Sequence, residues 1–333
     1  MAEPRFLVVR LGSLGDIVHT FPAVAGLRES FPRSEIAWVT HPRWSELISR
    51  SGLATEMILV DVRKLSSLQD AIGRVGRAKW EAAIDYQGLW KSALLPFLGG
   101  VLRRIGFSGE TIREFGVPIL YTERVKSAAA HIAEQNGELT LRVGAAKAVA
   151  PFELKVLPEE EQLVLGEMQS RGVSEYIVLS PGGGWRSKCW PAERFGALCE
   201  KIFREMGMRC VINFGPGEED LAEAVRVASG DAAPVLYDEA LGPLMALLRN
   251  AKCIVGGDTG PLHLGVALKT PAVAIFGPTD PARNGPYPAG NIVLRSTDAA
   301  GNHKRGTATD ESLLKISVEQ VFTAVRQRMR EAI

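Results

Sequence analysis

The chain has 333 residues, of which 46% are hydrophobic and 23% charged, with a formal net charge of +1. This length supports two cores, the composition is that of an ordinary globular protein, and the balanced charge gives no overall reason to bind nucleic acid. No run reaches the ~20 apolar residues of a spanning helix; the nearest, Ala93 to Leu102 between Lys91 and Arg103-Arg104, reads as a buried helix rather than a membrane-surface element.

In chain order, Met1-Ala2-Glu3-Pro4-Arg5 runs straight into a strand, so no signal peptide is expected. Strand-like runs follow at 6–9, 36–39, 57–60, 82–84 and 104–107, with helical patterns at 17–31, 43–51, 64–78 and 90–99. The second half repeats the theme, with strands at 176–179, 210–214, 235–236, 253–255, 272–276 and 292–294. Its helices are predicted at 191–206, 218–229, 242–251, 261–268 and 317–332. Such alternation indicates βαβ units and parallel sheets. The junction falls near 145–175, where Pro151, Pro158 and Glu159-Glu160-Glu161 interrupt the pattern. We divide the chain into domains 1–155 and 156–333, the last helix being free to pack back on the first. Two doubly wound domains place the carboxyl ends of their strands where ligands bind, facing each other across a central cleft. Segment 297–312, rich in Thr, Gly, Asp and Asn, reads as a surface loop.

The four cysteines, Cys189, Cys199, Cys210 and Cys253, form no CxxC pair and have no nearby histidine pair, which argues against structural zinc. Three sit in apolar patterns as small hydrophobes, and a reducing cytoplasm fits best.

One motif carries the most chemistry. Gly256-Gly257-Asp258-Thr259-Gly260-Pro261-Leu262-His263 reads as a buried strand, a glycine turn and a helix opened by proline. A helix start presents unpaired N–H groups and partial positive charge, which suits a diphosphate. The N–H groups of Thr259 and Gly260 are placed to meet phosphate. Asp258, repelled by it, orients sugar hydroxyls or backbone. His263, one turn on, either hydrogen-bonds the donor or is packed. A second motif, Gly12-Ser13-Leu14-Gly15-Asp16, links the first strand to a helix and is neither GxGxxG nor a P-loop. Its glycines, Gly15 included, leave the backbone open to a ligand. Asp16 is either a helix cap or a general base.

Gly12-Ser13-Leu14-Gly15-Asp16-Ile17-Val18-His19-Thr20-Phe21-Pro22-Ala23, Asp85-Tyr86-Gln87-Gly88-Leu89-Trp90-Lys91-Ser92-Ala93 and Asp258-Thr259-Gly260 with His263 together resemble the ADP-heptose:lipopolysaccharide heptosyltransferases, glycosyltransferase family 9. The first two blocks resemble the heptosyltransferase I branch more closely than the II branch. The resemblance implies an α/β GT-B fold of two Rossmann-like domains, the first binding the acceptor and the second the nucleotide sugar. It also implies inverting transfer of a heptose from ADP-heptose to a Kdo sugar of the lipopolysaccharide inner core.

On this resemblance Asp16 is the base. An ordinary aspartate has a pKa of ~3.9, so partial desolvation is expected to raise it. Lys188 falls where the family places a lysine for the leaving diphosphate. Gly182-Gly183-Gly184 stand where some relatives carry threonines, and the backbone N–H groups of Gly183 and Gly184 substitute for them. Glu218, with Glu219 as competitor, takes the ribose position. Lys91, Arg113, His131, Arg63 and Lys64 lie in segments that recognise the anionic acceptor, although solvated loop charge is the ordinary account of Arg63 and Lys64. Trp38, Trp80 and Trp185 read as packing residues, Trp185 within reach of the donor. No cofactor and no obligatory metal are expected, since no acidic cluster flanks the phosphate loop. The implied partners are a nucleotide-sugar donor and a Kdo-lipid A type glycolipid, not nucleic acid. The implied location is the cytoplasm, with peripheral contact at the inner membrane. A related transferase using another nucleotide sugar or glycan acceptor, a nicotinamide oxidoreductase and a catalytically silent sugar-nucleotide binder are the alternatives. The missing GxGxxG opposes the oxidoreductase.

Overall fold

The protein, described by a computed structural model over residues 3–112, 114–299 and 308–331, divides into two compact units, Met1–Lys155 and Val156–Ile333. The first holds strands β1 (Arg5–Val9), β2 (Glu35–Thr40), β3 (Glu56–Leu59), β4 (Ala82–Asp85), β5 (Arg104–Phe107) and β6 (Glu123–Val125). They form one sheet in the order β3-β2-β1-β4-β5-β6, and every pairing is parallel.

The second unit holds β7 (Tyr176–Ser180), β8 (Arg209–Asn213), β9 (Val235–Tyr237), β10 (Cys253–Gly256), β11 (Ala272–Phe276) and β12 (Ile292–Arg295). Its order is β12-β11-β10-β7-β8-β9, again parallel throughout. Counted from the first strand of each unit, both sheets run 3-2-1-4-5-6, the doubly wound order. The central strands are buried on both faces: Tyr176-Ile-Val-Leu-Ser and Ala272-Val-Ala-Ile-Phe contain no exposed residue. That is why they read as continuous apolar runs.

Several elements differ from the sequence reading. The helix expected at 17–31 is two, Leu14–Val18 and Phe21–Ser30. Pro22 has no N–H with which to continue the ladder, and the Thr20 hydroxyl donates to the Asp16 carbonyl at 2.8 Å instead. Strand β6 was unpredicted, because Glu-Arg-Val is short, charged and at the sheet edge. The helix Ile132–Arg142 was also unpredicted. Pro158 and Glu159–Glu161, which interrupt the alternation at the expected junction, open the helix Pro158–Ser170; proline at the first turn and acids beside it are helix-start chemistry. The last helix, Val318–Glu331, packs on the helix Ala192–Met206 and on β10, β11 and β12, all in the second unit. Residues 300–307 of the expected 297–312 loop lie outside the described residues.

A further correction concerns the run 93–102. The helix Trp90–Leu98 buries Ser92, Ala93, Leu95 and Pro96, packing Ala93 with Val117, Leu120 and Tyr121. Its other side is not covered, and Phe97, Leu98 and Leu102 are exposed. The run is only half a buried helix.

Candidate active site

In sheets of this order, ligands bind beyond the strand ends where the order reverses. In the first unit that point lies between β1 and β4, and the loops after both strands are tied together. The Gln87 side-chain carbonyl accepts the Leu11 N–H at 2.7 Å, and Arg10, at the end of β1, donates to the Tyr86 carbonyl. Asp85 organises the second loop from within. Its carboxylate accepts the N–H groups of Gln87 (2.9 Å) and Gly88 (3.2 Å) and the hydroxyls of Ser92 (2.8 Å) and Tyr121 (2.7 Å). Burial raises the Asp85 pKa, and those four donors partly oppose the rise.

Asp16 lies in the first turn of Leu14–Val18, and its contacts are those of the helix-start reading. Its Oδ2 accepts the backbone N–H and the hydroxyl of Ser13, each at 3.1 Å, which is the capping arrangement. Its Oδ1 lies 2.5 Å from a guanidinium nitrogen of Arg10. Arg10 is 1% exposed while the Asp16 side chain keeps 24%, so the carboxylate is anchored from below and open above. The nearly buried Arg10 guanidinium is thus the fixed partner of this carboxylate. Arg10 was missed. Its only sequence signal is an arginine closing an apolar strand just before the glycine turn.

Gly12 has φ +152°, and a Cβ there would meet the Trp44 indole nitrogen at 2.7 Å; the indole approaches the turn too closely for any side chain. Gly15 is buried within the short helix, its carbonyl accepting the His19 N–H at 2.9 Å. His131 caps Ile132–Arg142 by accepting the Ala133 N–H at Nδ1, and its ring stands edge-on to His19 with centroids 5.3 Å apart. The structure thus brings His131 to the residue that closes the Asp16 helix. Lys91 is exposed in the first turn of Trp90–Leu98. Arg63 is engaged by Asp61 at 3.1 Å, and its hydrogen bond and charge hold the Asp61 carboxyl down to about 2. Arg113 lies outside the described residues.

In the second unit the reversal lies between β7 and β10, and one ion pair spans it. Lys188 Nζ, from the turn after β7, lies 2.5 Å from Asp258 Oδ2, from the turn after β10. The Asp258 Oδ1 lies 3.1 Å from His263 Nε2. Burial alone would raise the Asp258 pKa, but the hydrogen bonds and charges of His263 and Lys188 hold it well below the carboxylate range. Lys188 also sits 4.2 Å over the Trp185 ring. Asp258, expected to orient sugar hydroxyls or backbone, and His263, expected either to hydrogen-bond the donor or to be packed, here meet each other, and Lys188 joins them.

Thr259 is the residue before the helix Gly260–Ala267, its side chain making no capping hydrogen bond, with Pro261 in the first turn. Glu218 reaches the same place from a third loop. Its Oε1 accepts the Gly183 N–H at 3.1 Å and its Oε2 the Gly215 N–H at 3.0 Å. Glu219 stays in its own turn, accepting the Gly217 N–H at 3.1 Å, so Glu218 is the one joined to the Lys188 loop. Gly184 is exposed and has open space where a Cβ would stand. Among the described residues, no group of three or more His, Cys, Asp or Glu is placed to hold a metal ion.

The family described as glycosyltransferase family 9 (heptosyltransferase) matches residues 70–313. Lipopolysaccharide heptosyltransferase 1 of Escherichia coli O18:K1:H7 is 29% identical over 313 residues, covering 88% of this chain and 91% of that protein. The protein of the same name from Pseudomonas aeruginosa is 28% identical, covering 88% and 84%. Among solved structures, the family 9 glycosyl transferase from Veillonella parvula superposes with a TM-score of 0.85 at 24% identity, covering 99% of this chain and 98% of that one. The E. coli heptosyltransferase WaaC with ADP gives 0.76 at 26%, covering 99% and 100%. The two doubly wound units are those of the GT-B fold.

Proposed function

Since this chain belongs to glycosyltransferase family 9, we propose that it transfers a heptose from ADP-heptose to a Kdo residue of the lipopolysaccharide inner core, with inversion. The observation that carries the proposal is the pairing of Lys188 with Asp258 beside the Thr259–Gly260 helix start. It sets a cation and open backbone donors together, where a diphosphate would lie. The E. coli and P. aeruginosa relatives, both lipopolysaccharide heptosyltransferase 1, support a lipopolysaccharide acceptor.

In this reading Asp16 takes the proton from an acceptor hydroxyl as its oxygen attacks the anomeric carbon. The bond from that carbon to the β-phosphate oxygen breaks on the opposite face, and ADP leaves. Lys188 and the N–H groups at Thr259 and Gly260 stabilise the charge gathering on the diphosphate. Arg10 holds Asp16 in place. Lys91 and His131 meet the anionic acceptor, and Glu218 exchanges a backbone partner for the ribose hydroxyls. The chemistry needs no metal, because cation and helix start supply the positive charge, and chelator is expected to leave turnover unchanged.

Mass spectrometry of a reaction with ADP-heptose and Kdo-lipid A tests the proposal: the acceptor should gain one heptose. Calorimetry should find binding of ADP but not UDP or GDP. Transfer from a uridine or guanosine donor in place of ADP-heptose would refute it.

A further inference from the structure

The end of β2 carries an indole to the edge of the Asp16 turn. Trp44 closes the single 3₁₀ turn Pro42–Trp44, which follows β2 in the chain. Strand β2 lies beside β1 in the sheet, and the His41 N–H donates to the Leu11 carbonyl at 3.3 Å. The turn is thus tied to the loop that leaves β1. His41 Nδ1 accepts the Arg43 N–H at 3.2 Å and the Ser45 hydroxyl donates to the Pro42 carbonyl at 2.8 Å, which fixes its shape.

So held, the indole edge lies against Gly12. A Cβ at that residue would stand 2.7 Å from the indole nitrogen and 3.3 Å from Cδ1. The next residue, Ser13, gives its N–H and hydroxyl to the Asp16 carboxylate. Trp44 therefore flanks the turn that holds the proposed base.

The donor on this edge is uncommitted. Trp38, Trp80, Trp90 and Trp190 each donate the indole N–H to a backbone carbonyl, at 3.2, 2.8, 3.2 and 3.0 Å. An enclosed indole ordinarily finds such a partner. Trp44 is half-buried, yet its N–H meets no acceptor among the described residues. Arg43 adds a charge beside it. Its guanidinium lies 5.0 Å over the Trp44 ring, and it pairs with no acid among the described residues. The neighbouring acids are engaged elsewhere: Glu46 with Arg50 at 2.8 Å, and Asp61, 3.9 Å from His41, with Arg63 at 3.1 Å.

We infer that Trp44 and Arg43 form a subsite for the acidic acceptor sugar, the indole N–H donating to a sugar oxygen and the guanidinium meeting the sugar's carboxylate. The inference rests on the Kdo acceptor proposed above, whose carboxylate suits a guanidinium that has no acid of its own. A sugar seated here lies against the Asp16 turn, so these two side chains set which hydroxyl is offered to the base. They act on binding and orientation and not on the reacting atoms.

The test is calorimetric titration of the full chain with a water-soluble Kdo oligosaccharide, with the methyl ester of its carboxyl group, and with ADP. Trp44→Phe keeps an aromatic ring and removes the N–H; Arg43→Gln removes an exposed charge. Each should weaken oligosaccharide binding by about tenfold and leave ADP affinity within about twofold. The intact protein should bind the ester about as weakly as Arg43→Gln binds the acid, and Arg43→Gln should bind both forms alike. With ADP-heptose present, the loss should appear mainly in the acceptor KM. Failure of the intact protein to bind the oligosaccharide overturns the inference, as does undiminished binding in Arg43→Gln. Equal weakening of acid and ester in that variant overturns it too, because the guanidinium would then not meet the carboxylate. A Trp44→Phe protein that melts earlier but binds the oligosaccharide as the parent does would reduce the indole to a packing partner of Gly12. Binding that responds to the variants while no heptose is transferred counts against the proposed reaction and leaves the subsite standing; transfer that the variants leave unaltered does the reverse.

Discussion

Lys188 and Asp258, 70 residues apart in the chain, meet at 2.5 Å with only 10% and 11% of their side chains exposed. A pair this enclosed is costly to break from one side, because the remaining charge stays buried without its counterion. Lys188→Met is therefore expected to destabilise the second unit by about 3–5 kcal/mol and to lower kcat by about 10²–10³-fold. Lys188→Met with Asp258→Asn should recover part of the stability but none of the turnover. Urea denaturation of the single and double variants measures the coupling, and recovery of both properties together would show that the lysine acts only as a structural partner.

The same pair sets an acid limit. Asp258 has a folded pKa held below its unfolded value, so its contribution is complete above ~4 and is lost as pH falls toward the folded value. Asp258→Asn should flatten this part of the stability profile below about pH 4. Asp85 runs the other way. Burial raises its folded pKa, so its ionisation costs stability as pH climbs from the unfolded value through the folded one. Asp85→Asn should remove that loss, and melting curves across pH for the two variants should slope in opposite senses relative to the parent.

Asp16→Asn keeps the size of the side chain and its contact with Ser13 but removes the proposed base. Turnover should fall by about 10²–10⁴-fold, while calorimetric affinity for ADP stays within about twofold, because the proposal assigns donor recognition to the other unit. Arg10→Lys should keep part of the rate and Arg10→Met almost none. Equal loss of turnover and ADP binding in Asp16→Asn would contradict the division of labour.

Glu218 fills the space beside Gly182, where a Cβ would stand 2.2 Å from its carboxylate oxygen. Gly182→Ala should push Glu218 off the Gly183 and Gly215 N–H groups and weaken ADP binding by roughly tenfold, about 1.4 kcal/mol. In a Glu218→Ala background the same change should cost little. Additive losses would mean that the clash is not the cause.

Cys199, Cys210 and Cys253 are buried in the second core. A hydrogen bond with Cys199 and then burial raise the Cys210 thiol, and burial takes Cys253 to about 12. A thiol reagent at neutral pH should leave these three unmodified until denaturant is added. Rapid labelling of more than Cys189 in the native protein would show that the core opens.

Much of the fold was legible, because a parallel sheet covered on both faces writes itself as apolar runs separated by amphipathic helices. Among the described residues, eleven of the twelve strands start within a residue of the expected position. What escaped was short or made by packing. Strand β6 exists because it adds to β5, and the helix Ile132–Arg142 because it packs against Phe21–Ser30 and β5. The site was legible as motifs only. Asp16, Lys188, Glu218, Asp258 and His263 were each named from sequence, but the partners were not: Arg10 for Asp16, Gly183 and Gly215 for Glu218, and one shared carboxylate for Lys188 and His263.

Most local order in this chain thus followed from residue pattern, since hydrophobic period, glycine turns and proline at helix starts act over a few neighbours. The charge pairings, and the side of Trp90–Leu98 left bare, were decided only by the folded chain. They depend on which loops the 3-2-1-4-5-6 order brings together, and that order joins residues such as 188 and 258 that no local rule connects.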